Sequence, residues 1–460
     1  MGFAFARTPV ATRPVETANR RIVTPLPVPD SLAILADLEA CETRAMHGQM
    51  PIVWDRAKDF QVWDRWGNCW IDFTSTIFVA NAGHANDHVL AALRQVIDGE
   101  LLHSYNYATE IRARYLKALI AATPACAAKA YLMTTGTEAT EAALRLMRLH
   151  GRQHGKGPGV VAFDGSYHGR TLGAAQLGGN ADSRRWIGYD APHVHHFAFP
   201  FAHAGDNTDW AAAFEAELDR LRARGIDPAR DLCGLLLESY IGWAAAFFPR
   251  DYVQAAARFA REHDILLAFD EVQSGFGRTG RLFAYEHYDV EPDLICCGKG
   301  IGSGLPLSAV LGRAALLDLP DTGLLSSTHS ANPLACAAGL ATLEEFARRD
   351  LAAAAASKGE LLLARLRDLQ QRFPDRIARV NGRGLVAAII LRTPGSGAPD
   401  GLFASRICEE AMRRGVLFVH TGRESIKFGP PLTITEAAIA EGMDVLAEVM
   451  AELAAAGDPA

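Results

Sequence analysis

Two residues in this chain have the types and surroundings for carbonyl chemistry. Lys299 stands in Asp293-Leu-Ile-Cys-Cys-Gly-Lys-Gly-Ile-Gly302, directly after a short apolar run. Upstream, the apolar run Ile265-Leu-Leu-Ala-Phe ends in Asp270 and continues Glu-Val-Gln273. Short apolar runs bounded by turn residues read as buried strands. Two strand ends therefore deliver an amine and a carboxylate. A lysine amine condenses with a carbonyl to give a Schiff base, and an aspartate keeps a basic ring nitrogen protonated.

One coenzyme carries both an aldehyde and a basic ring nitrogen: pyridoxal 5′-phosphate. Its phosphate needs a cradle. Thr134-Thr-Gly-Thr-Glu-Ala-Thr-Glu follows the run Lys129–Met133 and opens a helical stretch, where free N–H groups and the helix dipole attract an anion. Gly136 and Thr137 are the candidates, although Thr-x-x-Glu is equally the signature of a plain helix cap. In Phe163-Asp-Gly-Ser-Tyr-His-Gly-Arg-Thr171, Tyr167 or His168 can stack on a pyridine ring and Arg170 can receive a carboxylate; the alternative is a structural turn. Glu238 closes the run Leu235–Leu237. An acid there faces the ligand crevice of an open α/β sheet, and can bond the ring hydroxyl region or orient Asp270; otherwise it is a surface carboxylate. His193, His195, His196 and His203 match no metal-ligand template and read as a solvated, histidine-rich loop, so no metal is expected.

The elements that position these residues alternate. From about Asp87, helical stretches are interleaved with apolar runs at Lys129–Met133, Gly159–Phe163, Leu232–Glu238, Ile265–Asp270, Leu294–Cys297 and Leu307–Leu311. That pattern predicts an α/β fold with a mostly parallel central sheet flanked by helices. A smaller α+β domain is expected from both chain ends. It would take a helix over 31–47, a hairpin from Ile52-Val-Trp-Asp55 and Phe60 onward turning at Trp66-Gly67-Asn68, a helix over Glu360–Arg372, strands over Gly384–Leu391 and Val416–Val419, and a last helix over Thr435–Leu453. The expected divisions are an extended arm over 1–30, small-domain parts over 31–86 and 346–460, and a large coenzyme-binding domain over 87–345.

At 460 residues the chain can bury a sizeable core in two lobes. Its composition, 49% hydrophobic and 22% charged, is that of a soluble globular protein. A net charge of −7 argues against nucleic-acid or anionic-membrane partners. No apolar stretch is long enough to span a bilayer, and the N-terminal stretch lacks the apolar core of a secretory signal. Eight cysteines without a CxxC pair read as buried, reduced thiols. A cytoplasmic location is the expectation.

Taken together, the motifs resemble a known family. Phe269-Asp-Glu-Val-Gln-Ser-Gly-Phe-Gly-Arg-Thr-Gly280 and Cys297-Gly-Lys-Gly-Ile-Gly-Ser-Gly-Leu-Pro306 resemble the class III (omega-type) aminotransferases of pyridoxal-phosphate fold type I. Gly136-Thr-Glu-Ala, Tyr167-His-Gly-Arg-Thr and Thr328-His-Ser-Ala-Asn-Pro-Leu-Ala-Cys resemble it too, in the family's order, and the likeness runs from about Trp54 to about Ile434. The resemblance implies that Lys299 carries the coenzyme and shuttles the proton, and that Asp270 partners the pyridinium nitrogen. It implies Val272 on one ring face and Tyr167 on the other, Gln273 at the phenolic oxygen, and Gly136 and Thr137 at the phosphate. It further implies that Thr328 completes the phosphate site of a neighbouring subunit, hence a homodimer or a dimer of dimers. The activity implied is ping-pong transfer of an amino group from a primary amine or amino acid to a keto acid.

The sequence departs from the family at one pair. Members using glutamate carry a switch glutamate and arginine; here Trp243 and Lys427 fall at those positions, in Glu238-Ser-Tyr-Ile-Gly-Trp243 and Ser425-Ile-Lys427-Phe-Gly-Pro-Pro-Leu-Thr433. Lysine cannot grip a carboxylate bidentately. Trp243, with Phe78, Thr76 and Tyr107, would wall an aromatic substrate pocket, while for Phe78 and Tyr107 ordinary packing is the competing reading. The altered pair opens a second outcome on the same scaffold, a racemase or epimerase, an ammonia- or phospho-lyase, or an aminomutase, since none needs a second keto acid. A non-catalytic binding module on this fold is disfavoured because Lys299 and Asp270 are both retained.

Overall fold

The structure, a computed structural model, describes residues 3–202, 207–325 and 327–457. Two compact units divide the chain. One takes both chain ends, up to Asn86 and from Ala353, together with Trp243–Ala245; the other takes Asp87–Gly242 and Ala246–Ala352.

The second unit is built on seven strands: β1 (Lys129–Met133), β2 (Gly159–Phe163), β3 (Val194–Phe197), β4 (Leu232–Glu238), β5 (Leu266–Asp270), β6 (Leu294–Cys297) and β7 (Ser308–Gly312). Their order in the sheet is β1-β7-β6-β5-β4-β2-β3. β2 through β6 pair in parallel. β7 is antiparallel to both β6 and β1. Six strands therefore point one way, and their carboxyl ends share one edge, where open α/β sheets bind ligands. The expected mostly parallel sheet is borne out.

Helix α1 (Gly136–Gln153) covers the sheet with Ala139, Ala143, Leu146 and Met147, which join Val160, Leu236, Ala268 and Val310 in one buried cluster. Each large side chain buried there contributes roughly 1.5–3 kcal/mol. α1 starts on a capping box in which Thr135 Oγ1 accepts from Glu138 N at 3.2 Å and Glu138 Oε2 accepts from Thr135 N at 2.8 Å. The opposite end of the sheet departs from the sequence reading. The histidine-rich stretch is not a solvated loop: Val194–Phe197 is the edge strand β3, pairing with β2, and His195 is buried. Burial pushes the His195 imidazole down to about 4, with Arg224 adding to it. The histidines misled because strands are recognised by apolar content, and here packing overrides it. His203 lies outside the described residues.

The first unit is α+β. A six-stranded sheet includes Gln61–Trp63 and Cys69–Asp72, antiparallel around the turn expected at Trp66-Gly67-Asn68. The other strand of that hairpin region is Arg56–Lys58, not 52–55. The arm is extended, but held: Val15–Glu16 and Arg21–Ile22 pair, Arg21 registers with Cys69, and Ile22 and Leu26 are fully buried. The helix expected over 31–47 is shorter, Leu32–Cys41, because Glu42 turns extended. Ile377–Arg383, Val386–Leu391, Ser425–Phe428 and Val419–His420 form a four-stranded antiparallel sheet, and the final helix is Glu436–Ala456.

One local feature of this unit is strained. Ser75, Thr76, Ile77 and Phe78 all have positive φ, from 47° to 66°. A left-handed turn of ordinary residues costs roughly 1–2 kcal/mol per residue. It is held by Ser75 Oγ donating to Gly429 O at 2.7 Å and Phe78 N donating to Thr74 O at 2.9 Å. Thr76 is exposed, so its side chain is not packed into the core. Thr76→Gly should stabilise the protein by about 1 kcal/mol, the relieved strain less glycine's entropy cost. Urea unfolding checks this; a midpoint equal to or below wild type would mean that no strain is stored there.

Candidate active site

Three strand ends bring the chemistry together. Asp270 closes β5 and registers with Glu238 at the end of β4 and with Cys296 on β6. Lys299 follows β6 by two residues and opens a single 3₁₀ turn, Lys299–Ile301. Its own φ is +47°, a conformation that a non-glycine residue keeps only when its surroundings dictate it. Lys299 is half-buried. Desolvation pushes its ammonium below the usual lysine range, while Asp270 and Glu238 act in the opposite direction. An amine depressed in this way is neutral, and so nucleophilic, over more of the working pH range.

Asp270 is buried and well supplied with donors. Oδ1 accepts from Val272 N at 3.0 Å, and Oδ2 lies 2.7 Å from His168 Nδ1. The carboxylate accepts, so His168 donates from Nδ1; its Nε2 is buried with no partner among the described residues. His168 therefore stands behind Asp270 and is not available to stack on a ring, which corrects one of the two readings of that motif. Its position is fixed from the backbone, because Thr140 Oγ1 donates to His168 O at 2.7 Å. Glu238 accepts from Tyr167 N at 3.1 Å. Burial pushes the Glu238 carboxyl up to about 7, with Asp270 adding to the rise and His168 opposing it. Gln273 lies close by: a Cβ built on Gly242 would meet Glu238 Oε1 at 2.9 Å and Gln273 Nε2 at 3.2 Å.

Glu271, which the sequence reading passed over, serves the site from the other side. Its buried carboxylate accepts from Ser239 Oγ, from Ser274 Oγ at 2.7 Å, from Ala284 N at 3.0 Å and from Tyr285 N at 2.7 Å. Those bonds tie the Asp270–Gln273 turn down. Alternation along an extended chain puts Asp270 and Glu271 on opposite sides.

The phosphate candidates sit at the start of α1. A Cβ on Gly136 would come within 2.7 Å of Val272 Cγ1, so only glycine lets the helix start approach that side chain. Thr137 Oγ1 accepts from Arg170 N at 3.1 Å, and a Cβ on Gly169 would fall 1.6 Å from it. Tyr167 and Arg170 are exposed, with the guanidinium 5.7 Å from the tyrosine ring. Pyridoxal 5′-phosphate fits these residues. It asks for an amine, a carboxylate supplied with donors, a close-packed helix start with free N–H groups and a flat apolar flank. Lys299, Asp270, Gly136–Thr137 and Val272 match those four needs in turn.

Other predicted residues stand outside this cluster. Thr328 is exposed; its carbonyl accepts from His103 Nε2 at 2.9 Å, and no hydrogen bond joins it to the Lys299 cluster among the described residues. Tyr107 is 80% exposed, which removes ordinary core packing as its explanation. In the first unit, Lys427 is buried with Nζ 4.4 Å from the Phe78 ring centroid. Trp243 lies 3.8 Å beneath the Arg423 guanidinium, and its carbonyl accepts from Ser425 Oγ at 2.9 Å. Arg423 had no signal in the sequence, since the stacking joins residues distant in the chain.

The profile of the family described as Aminotransferase class-III matches residues 43–450. The chain is 34% identical over 449 residues to the 4-aminobutyrate aminotransferase of Mycobacterium tuberculosis, covering 95% of this chain and 99% of that one. It is 34% identical over 415 residues to the 2-aminoadipate transaminase of Pseudomonas putida, covering 88% and 96%. Its fold is similar to that of the ornithine aminotransferase from Toxoplasma gondii ME49, with a TM-score of 0.82 and 25% identity over 94% of this chain and 97% of that one. The chain belongs to the class III aminotransferase family: it is an aminotransferase, and that membership implies pyridoxal 5′-phosphate as its coenzyme.

Proposed function

We propose that this aminotransferase takes an unbranched primary amine or amino acid as donor and a keto acid as acceptor, working as a cytoplasmic homodimer on pyridoxal 5′-phosphate held by Lys299. The observation that carries this reading is the meeting of Lys299, Asp270 and Glu238 at adjacent parallel strand ends. Relatives named for 4-aminobutyrate, putrescine and 5-aminovalerate support a terminal amine on an unbranched chain. Among the described residues no helix is long and apolar enough to cross a membrane.

When bound, the coenzyme supplies an aldehyde that captures the amine and a protonated ring that accepts electrons. The protein's residues do the rest. Asp270 holds the proton at the ring nitrogen, and His168 fixes that carboxylate. Lys299 Nζ, its basicity lowered by desolvation, removes the proton from the carbon bearing the amine. Gly136, Thr137 and the partner's Thr328 bind the phosphate, Val272 and Tyr167 flank the ring, and Gln273 with Glu238 bonds the phenolic oxygen region. Trp243, Phe78, Tyr107 and Lys427 set the substrate range, and Arg170 receives a carboxylate. With Lys427 at the switch position, 2-oxoglutarate should be a poor acceptor.

Three outcomes follow. Amines added without keto acid should convert the visible band of the holoenzyme stoichiometrically to the aminated coenzyme and stop. Pyruvate should then restore it faster than 2-oxoglutarate, and Lys299→Ala should lack the band. A band that persists while substrate is consumed would replace transamination with a lyase, mutase or racemase outcome. Sedimentation should give twice the 49.6 kDa chain mass or a multiple of it. Leu101, Leu102, Tyr105 and Tyr107, all exposed, support a face covered by a second copy; a monomer with full activity would remove Thr328 from the site.

The third outcome concerns pH. The Glu238 carboxyl is raised in the fold to about 7 from 4.5. Its contribution to stability is then fully present below 4.5 and is lost as pH rises through about 7. Glu238→Gln keeps the shape without the titration. Thermal unfolding of the coenzyme-free protein should therefore shift in the variant's favour between about pH 5 and about pH 8; a difference independent of pH would mean that Glu238 is not held neutral.

A further inference from the structure

The far end of α1, about 27 Å from Gly136 at 1.5 Å per residue, carries a second cluster of ligand-bearing side chains. His150 lies in the last turn of the helix and His154 caps it, four residues on. Side chains at that spacing lie over one face. Their rings stack with centroids 4.0 Å apart. Asp264 comes from the turn between α2 (Arg250–Glu262) and β5, where its φ of +51° swings it against the helix end.

The three side chains converge. His150 Nε2 lies 3.2 Å from Asp264 Oδ1, and His154 Nε2 lies 3.7 Å from Asp264 Oδ2. One ligand atom from each residue falls within 4.8 Å of the others. Bonds of about 2.0–2.2 Å at a tetrahedral centre put neighbouring ligand atoms roughly 3.3–3.6 Å apart, so the spacing is already close to what a bound cation requires. The histidine tautomer is also set. His154 Nδ1 lies 2.8 Å from His150 O, a carbonyl that only accepts, so the proton is on Nδ1 and Nε2 offers its lone pair to the cluster. Outer hydrogen bonds of this kind orient metal-bound imidazoles. His150 is buried, whereas His154 and Asp264 are about half exposed, which leaves an entry path and room for water. Asp264, Glu291 and Asp293 line a surface cavity of ≈ 340 Å³, three carboxylates against Arg261 and Arg313 in the same wall.

We propose that His150, His154 and Asp264 bind a zinc-class divalent cation, with water completing the coordination. Two imidazoles and one carboxylate suit a borderline cation such as Zn²⁺ and not Mg²⁺, which prefers oxygen. Binding exchanges the proton between His150 and Asp264 for the metal, and that proton leaves to solvent. The site ties the end of α1 to the entry of β5, so it acts on stability and not on the reaction.

The holoenzyme titrated calorimetrically with ZnCl₂ tests this. The expected result is one saturable binding event per chain, weakened at least about tenfold in His154→Ala and in Asp264→Asn, with no comparable event for MgCl₂ and wild-type turnover in both variants. No saturable zinc binding, binding of equal strength in both variants, or equal binding of Mg²⁺ would each overturn the proposal, and the first would leave the cluster as hydrogen-bonded histidines. These readouts do not depend on which amine the enzyme uses.

Discussion

The site depends on seating the Asp270 carboxylate where little water reaches it. Taking a carboxylate out of water costs several kcal/mol unless donors replace the lost hydration. Two do so here: the backbone Val272 N and the buried His168 side chain through Nδ1. The register that places Glu238 beside Asp270 makes the problem sharper, since two neighbouring carboxyls cannot both ionise at low cost. Glu238 gives way, its carboxyl raised to about 7 chiefly by burial. The two carboxyls also differ in their donors: His168 and Val272 N bond Asp270, while the bonds to Glu238 are two backbone N–H groups, one at 3.1 Å and one at 3.5 Å.

Strand direction does the remaining placement. A strand of five residues fixes its last side chain to the edge where its neighbours also end, and β4, β5 and β6 share that edge. Glu271 points away and is locked by four donors, so the loop that carries Val272 and Gln273 leaves β5 in one conformation. Rigidity here is a consequence of supplying a buried carboxyl group with its full set of donors.

Much of this was legible because it is local. Apolar runs marked six of the seven strands within a residue or so, and the acid and the amine stood at their ends. Thr135 and Glu138, three residues apart, announced their capping box. What escaped was non-local. His168 meets Asp270 across 102 residues of chain, so the sequence offered ring stacking or a structural turn and gave no sign of that bond. The edge strand Val194–Phe197 carries two histidines, and only its pairing with β2 makes one of them a core residue. His150 and His154 display their spacing openly, yet the third member, Asp264, is 114 residues from His150. Arg423 joins Trp243 only through the folded first unit.

The altered switch pair gains a physical sense from those contacts. Lys427 is buried, and its ammonium lies over the Phe78 ring. A desolvated cation over an aromatic face gains about 2 kcal/mol. For the ring to lie there, residues 75–78 run left-handed, and Gly429 is bare, since a Cβ on it would sit 2.0 Å from Phe78 Cε1. Trp243 likewise takes a guanidinium, from Arg423. Both positions make a cation–ring contact. The face of an aromatic ring carries partial negative charge and attracts cations, not carboxylates. The left-handed turn over residues 75–78 is then what seats Phe78 under the lysine.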